Sequence, residues 1–174
     1  MLKSRMTGIA LVTIALALAP GRSVEGAGPA VKPSSVHEVE IVAVYLDAVA
    51  QAPKVVLERK HDRRRFEMVI GLAEMNGIAI PLNGVTPPRP LTHDLFLTLF
   101  GRLNVTLSRV VITDLRDDIY YAILHFTGAA GELTLDSRPS DAIALAIRAK
   151  VPVFVDDRVF EKAGSPTGQR RQAI

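Results

Sequence analysis

Asp136-Ser137-Arg138-Pro139-Ser140-Asp141-Ala142-Ile143-Ala144-Leu145-Ala146-Ile147 is the stretch whose reading decides the fold. Proline holds φ at about −65° and lacks an amide hydrogen, which suits it to the first position of a helix and to little else inside one. Ser137 or Arg138 then takes the cap position, and Asp141 falls in the first turn, where the helix dipole favours a negative charge. The run after it is apolar nearly all round, which predicts a buried helix whose alanines let neighbouring backbones come close. Glu132–Asp136 reads as the strand leading in, Pro152–Val155 as a short strand leading out, and Asp156–Ala163 as a last amphipathic helix.

The same device stands upstream, in Arg89-Pro90-Leu91-Thr92-His93-Asp94. Thr92 is a good N-cap, Leu91 and Phe96 occupy the positions of a hydrophobic staple, and a helix is predicted over His93–Arg102. Ser108–Leu115 and Ile119–Thr127 alternate apolar positions around Asp117-Asp118 and predict a hairpin. Val39–Leu46, Val55–Glu58 and Arg65–Ile70 add strands. Gly71–Asn83 has helical spacing at Glu74, Met75, Ile78 and Leu82. Gly77 weakens that helix, and Pro81 removes the amide that would bond the Gly77 carbonyl, so a short or kinked helix is expected. Strand runs that do not alternate regularly with helices predict a single α+β domain, with a mixed, largely antiparallel sheet packed with helices.

With 174 residues, 48% hydrophobic and 22% charged, the chain has the composition of one globular domain with an appendage. Lys3 and Arg5, an uncharged run Ile9–Ala19, then Pro20, Gly21 and small residues have the order of a secretory signal, and the run is short for a bilayer span. The expected organisation is a signal peptide over 1–27, a linker over 28–36, a folded domain over 37–164 and a flexible tail over 165–174. The expected location is exported, periplasmic or secreted, with no stable membrane insertion after cleavage. Three basic residues and one acidic residue leave with 1–27, so the formal net charge falls from +3 to +1. Global attraction to nucleic acid is therefore slight. Arg59, Lys60, His61, Arg63, Arg64 and Arg65 remain clustered, either as a phosphate-contacting patch or as a solvated hairpin tip.

Pro87-Pro88-Arg89-Pro90-Leu91-Thr92-His93-Asp94-Leu95, the hairpin Val110-Val111-Ile112-Thr113-Asp114-Leu115 with Tyr120-Tyr121-Ala122, and Asp136–Ala146 together resemble the bifunctional nuclease domain family. Ile70-Gly71-Leu72-Ala73-Glu74 resembles its earlier Ile-Gly-x-x-Glu segment, and the resemblance runs in order from about Val39 to Gly164. It implies an α+β fold, self-association as a homo-oligomer, and metal-assisted phosphodiester hydrolysis of DNA or RNA; taken with the signal-like N-terminus, the expectation is an exported nuclease. Asn76, Gly77 and Pro81 depart from the alanine-rich helix the family has after its glutamate.

Nuclease chemistry needs an activated water, neutralisation of the nonbridging oxygens and help for the leaving oxygen, all of which carboxylate-held Mg²⁺ can supply. Glu74, Asp94, Asp136 and Asp141, with Asp114, are the candidate ligands. Arg89 and Arg138 are candidate phosphate clamps, joined by Ser140 as a substrate-binding candidate. His93, Asp94 and Asp141 are the candidate catalytic residues. Each also has a structural reading: the aspartates suit helix starts, and Ser137 and Ser140 are capping residues first. The absence of cysteine excludes disulfides, thiol nucleophiles and cysteine-held zinc, and neither a Gly-x-Ser-x-Gly elbow nor a glycine-rich phosphate loop is present. With six phenylalanines, three tyrosines and no tryptophan, and with Phe96, Phe100 and Phe126 fitting the core, base stacking is not expected. The rival to a nuclease is a noncatalytic oligomeric binding module of the cell envelope, its Arg-Pro motifs serving only to start helices.

Overall fold

The structure is a computed structural model that describes residues 35–164, so the expected signal peptide, most of the linker and the tail lie outside the described residues. In chain order these form β1 (Val36–Asp47), β2 (Ala52–Arg59), β3 (Arg65–Val69), α1 (Leu72–Leu82), α2 (Thr92–Arg102), β4 (Val105–Arg116), β5 (Ile119–Gly128), β6 (Gly131–Ser137), α3 (Pro139–Ala149), β7 (Val153–Asp156) and α4 (Asp157–Ala163). The strands make one seven-stranded sheet in the order β3-β2-β1-β7-β4-β5-β6. Every neighbouring pair is antiparallel except β7 on β4, so the α+β fold with a mixed, largely antiparallel sheet is the observed one. No helix among the described residues is long and apolar enough to cross a membrane.

The central hairpin forms where alternation places it. Val110 pairs with Leu124 and Ile112 with Ala122, and all four are buried. Asp117 and Asp118 turn the chain at φ 49° and 63°, the two left-handed residues that a two-residue hairpin loop of the favoured twist requires. Helix α3 is the core of the helical layer. Ala142 to Ala146 are each 4% exposed or less, and the helix packs on α1, α2, β4 and β5, as expected of a helix apolar on every side.

Two expected helix starts differ in detail. Helix α2 is capped at Leu91 rather than Thr92; the Asp94 carboxylate reaches back to accept the Leu91 amide at 2.8 Å, so the aspartate does what the threonine was expected to do. Helix α1, expected to be short or kinked, spans eleven residues. Pro81 sits in its last turn, and the Gly77 carbonyl that it leaves without a helical donor accepts Arg148 Nη1 at 2.6 Å. A side chain from a distant helix thus repairs a defect that the local sequence creates.

The basic cluster is an exposed hairpin tip whose cations are largely ion-paired within the fold. Glu58, 1% exposed, lies between Arg63, at 2.6 Å, and Arg65. Arg59 reaches Asp157 at 2.6 Å and lies 4.2 Å above the Phe160 ring, while Arg64 donates to the Phe160 carbonyl at 3.1 Å. The cluster is neutralised internally and latches the β2–β3 hairpin to α4. Removing Arg63 and Arg65 strands a buried carboxylate, which costs about 3 kcal/mol. The double variant R63A/R65A is expected to unfold at lower denaturant than wild type, and adding Glu58→Gln is expected to restore much of the loss.

Candidate active site

Helix α1, the starts of α2 and α3, and the end of β6 enclose a cleft of about 1120 Å³. The two Arg-Pro stretches meet in it. Arg138, which precedes α3, places Nη1 2.8 Å from Glu74 Oε1 on α1 and donates Nε to Asp141 Oδ2 at 2.7 Å. The other oxygen of Asp141 lies 3.3 Å from His93 Nε2 on α2. Glu74, Arg138, Asp141 and His93 therefore form one connected chain contributed by three helices. The carboxylate can only accept, so the ring donates through Nε2 in this bond, and in the neutral tautomer that fits it Nδ1 is the acceptor. Gly77 gives that ring its room: a Cβ built there would lie 3.1 Å from His93 Cε1 and 3.5 Å from Nδ1.

Arg148 carries the layer behind this chain, and sequence reasoning missed it. Its side chain is 6% exposed and joins Asp94 Oδ1 at 2.8 Å, the Gly77 carbonyl at 2.6 Å and the Ala144 carbonyl at 2.9 Å. One guanidinium thus holds the first turn of α2 against α1 and α3. The signal was present as an orphan: Pro81 leaves the Gly77 carbonyl in need of a donor, and Arg148 stands seven residues beyond Asp141 on an otherwise apolar helix.

The remaining candidates divide. Asp136 lines the cleft from the exposed end of β6. Asp94 is taken by Arg148 and the Leu91 amide, so it positions α2 and is not among the residues that line the cleft. Ser140 is 7% exposed, buried in the first turn of α3 and absent from the lining, because Pro139 and Ser140 turn into the core. Arg89 is exposed on a bend at Pro88–Arg89, outside the lining, and without an ion pair or hydrogen bond among the described residues. Asp114 pairs with Lys162 at 2.6 Å, also outside the lining.

Burial pushes the Asp141 carboxyl up, but hydrogen bonds from Arg138 and His93 and their charges outweigh it and hold it below the ordinary carboxylate range. Asp94 behaves alike: burial raises it, and the Leu91 amide and Arg148 bring it below that range. Arg138 is held protonated by Asp141 first and Glu74 next. Three carboxylates, Glu74, Asp136 and Asp141, share the lining with this one guanidinium, a surplus of negative charge that a phosphate would meet. Among the described residues no three of His, Asp and Glu gather as a metal-ligand group, since Glu74 and Asp141 share Arg138 and Asp94 is bound to Arg148. As paired here, the four expected ligands do not fit a Mg²⁺ site.

An acid–base chain in a cleft between helices on an α+β sheet defines a class of site rather than one reaction. A family model, the bifunctional nuclease domain, matches residues 55–168, and the chain belongs to that family. An uncharacterized protein of Mycobacterium tuberculosis (strain ATCC 25618 / H37Rv) is 36% identical over 127 residues, covering 73% of this chain and 76% of its own. Proteins named bifunctional nuclease 1 in Oryza sativa subsp. japonica and bifunctional nuclease in Oryza minuta are each 33% identical over 86 residues, which is 48% of this chain and 26% of theirs.

A carboxyl held low in the folded state contributes stability that is complete above its unfolded value of about 4 and is lost as pH falls through the lower folded value. Thermal unfolding of the wild type is therefore expected to move down between about pH 5 and pH 2. Asp94→Asn, which removes one such group, is expected to start lower at neutral pH and to show a flatter acid limb; an unchanged limb would dissociate Asp94 from Arg148.

Proposed function

We propose that this domain cleaves phosphodiester bonds of nucleic acid in the cleft between α1, α2 and α3. The observation that carries the reading is the Glu74–Arg138–Asp141–His93 chain, built from both Arg-Pro starts in a member of this family. Asp141 orients the imidazole, and Nδ1 accepts the proton of the attacking water; that proton then serves the departing oxygen. Arg138, with a side chain 65% exposed, is free to exchange a carboxylate for a nonbridging phosphate oxygen as charge develops there. The surplus of carboxylate makes a divalent ion worth testing directly, since one would have to displace Arg138 from Glu74 and Asp141.

Two attendant proposals complete the reading. Self-association as a homo-oligomer is supported by α2, which has no buried residue and exposes Leu99 at 51%, by Leu103 just after it at 61%, and by the open edge strand β6 with Leu133 at 48%. Export to the periplasm or medium is supported by the order of residues 1–27. The competing reading, a noncatalytic binding module of the cell envelope, is favoured by one observation: Arg138 is already neutralised by two carboxylates.

Purified protein is expected to degrade DNA and RNA, with His93→Ala lowering kcat by about 10²–10⁴ and Asp141→Asn lowering it at least tenfold while circular dichroism shows both folded. Parallel reactions with Mg²⁺ and with a chelator read the metal requirement. Binding without turnover would favour the noncatalytic module, and an Asp141→Asn variant as active as wild type would place the chemistry elsewhere. Light scattering and N-terminal sequencing of the same material read the oligomer and the processed start.

A further inference from the structure

The cleft lining combines two chemistries. One is the polar chain from Glu74 to His93. The other is apolar, formed by Ile80, Phe96, Phe100, Leu124, Leu135 and Leu145. Phe96 and Leu135 remain 47% and 40% exposed on it, although both are large and apolar. The Phe96 ring is backed rather than loose: it lies 6.1 Å from Phe100, which in turn meets Phe126 edge to face at 4.7 Å. The sequence placed all three rings in the core; the structure leaves the outermost one facing the cleft.

A duplex presents phosphates outward and keeps its bases stacked inside, so it offers nothing to an apolar lining. An unpaired nucleotide carries both a charged phosphate and a planar face. Charge points the same way. The β2–β3 hairpin is neutralised by Glu58 and Asp157, and the cleft lining holds more carboxylates than guanidinium groups, so phosphate contacts alone bind weakly here. The affinity has to come from the base. Asn76 and Ser137, which also line the cleft, supply polar atoms to a base edge without selecting one base.

We propose that the cleft binds an unpaired nucleotide within a strand, its base against Phe96 and Leu135 and its phosphate at Arg138. The inference rests on the nucleic-acid reading above and names its substrate class as single-stranded or flipped-out nucleotide. Phe96 is the specificity-determining residue, acting through base stacking, which tolerates any sequence.

The test measures binding of fluorescein-labelled twelve-nucleotide strands in chelator, so that turnover does not interfere, against a hairpin duplex of the same composition and an abasic strand. The single strand is expected to bind at least tenfold tighter than either. Phe96→Ala is expected to lose about tenfold on the normal strand and nothing on the abasic one, and Phe96→Tyr to recover the loss. The salt dependence is expected to be shallow for the strand. Equal affinity for strand and duplex, or an equal loss on the abasic strand, overturns the proposal. Strand-selective binding without cleavage would sustain it while the hydrolytic reading falls; cleavage without strand preference would do the reverse; absence of both would remove both.

Discussion

Everything near the cleft depends on the burial of one cation. The Arg148 side chain is 6% exposed, so its guanidinium has little water to donate to and must be satisfied by the protein. It finds a carboxylate on α2, a carbonyl on α1 and a carbonyl on its own helix. A buried ion pair is seldom a large net gain in stability, but removing one partner is costly because the other is left desolvated and alone. The arrangement therefore acts less as glue than as a constraint: α1, α2 and α3 have one relative placement in which Asp94, Arg148 and the Gly77 carbonyl are all satisfied. That placement brings His93 to Asp141.

From this constraint the unusual residues of α1 become intelligible together. Pro81 opens a carbonyl, Arg148 fills it, and Gly77, beside that carbonyl, lacks the Cβ that would crowd the His93 ring at 3.1 Å. Residues that look like damage to a helix are the points where two other helices are received. The cost is a helix that leans on tertiary contacts for what its own sequence withholds.

The architecture was legible because it rests on local chemistry. Period-two alternation gives β4 and β5, a pair of left-handed aspartates turns them, and an apolar run after Arg-Pro gives a buried α3. What escaped the sequence is long-range pairing. The basic hairpin looked free because Glu58 is one carboxylate within a strand and Asp157 lies 98 residues from Arg59, yet these two carry most of its neutralisation. Arg148 looked ordinary for the same reason, with its carbonyl partner on α1 lying 71 residues away. Arg89 and Ser140 were nominated by the symmetry of the two motifs. The fold breaks that symmetry: the second motif delivers Arg138 and Asp141 to the cleft, while of the ionisable residues of the first only the histidine lines it. Phe96 was assigned to the core on composition, which cannot tell the covered side of an amphipathic helix from its rim.

Family membership and geometry then speak to different questions. Membership in the bifunctional nuclease domain family sets the class of chemistry to examine; the convergence of His93, Asp141, Arg138 and Glu74 says where in this chain to examine it. Both depend on the three helices being locked as described. A double-mutant cycle in chemical denaturation with Asp94→Asn and Arg148→Met measures that lock. A coupling of roughly 1–3 kcal/mol is the expected result; effects that simply add, within about 0.5 kcal/mol, would contradict the claim that this pair holds the site together.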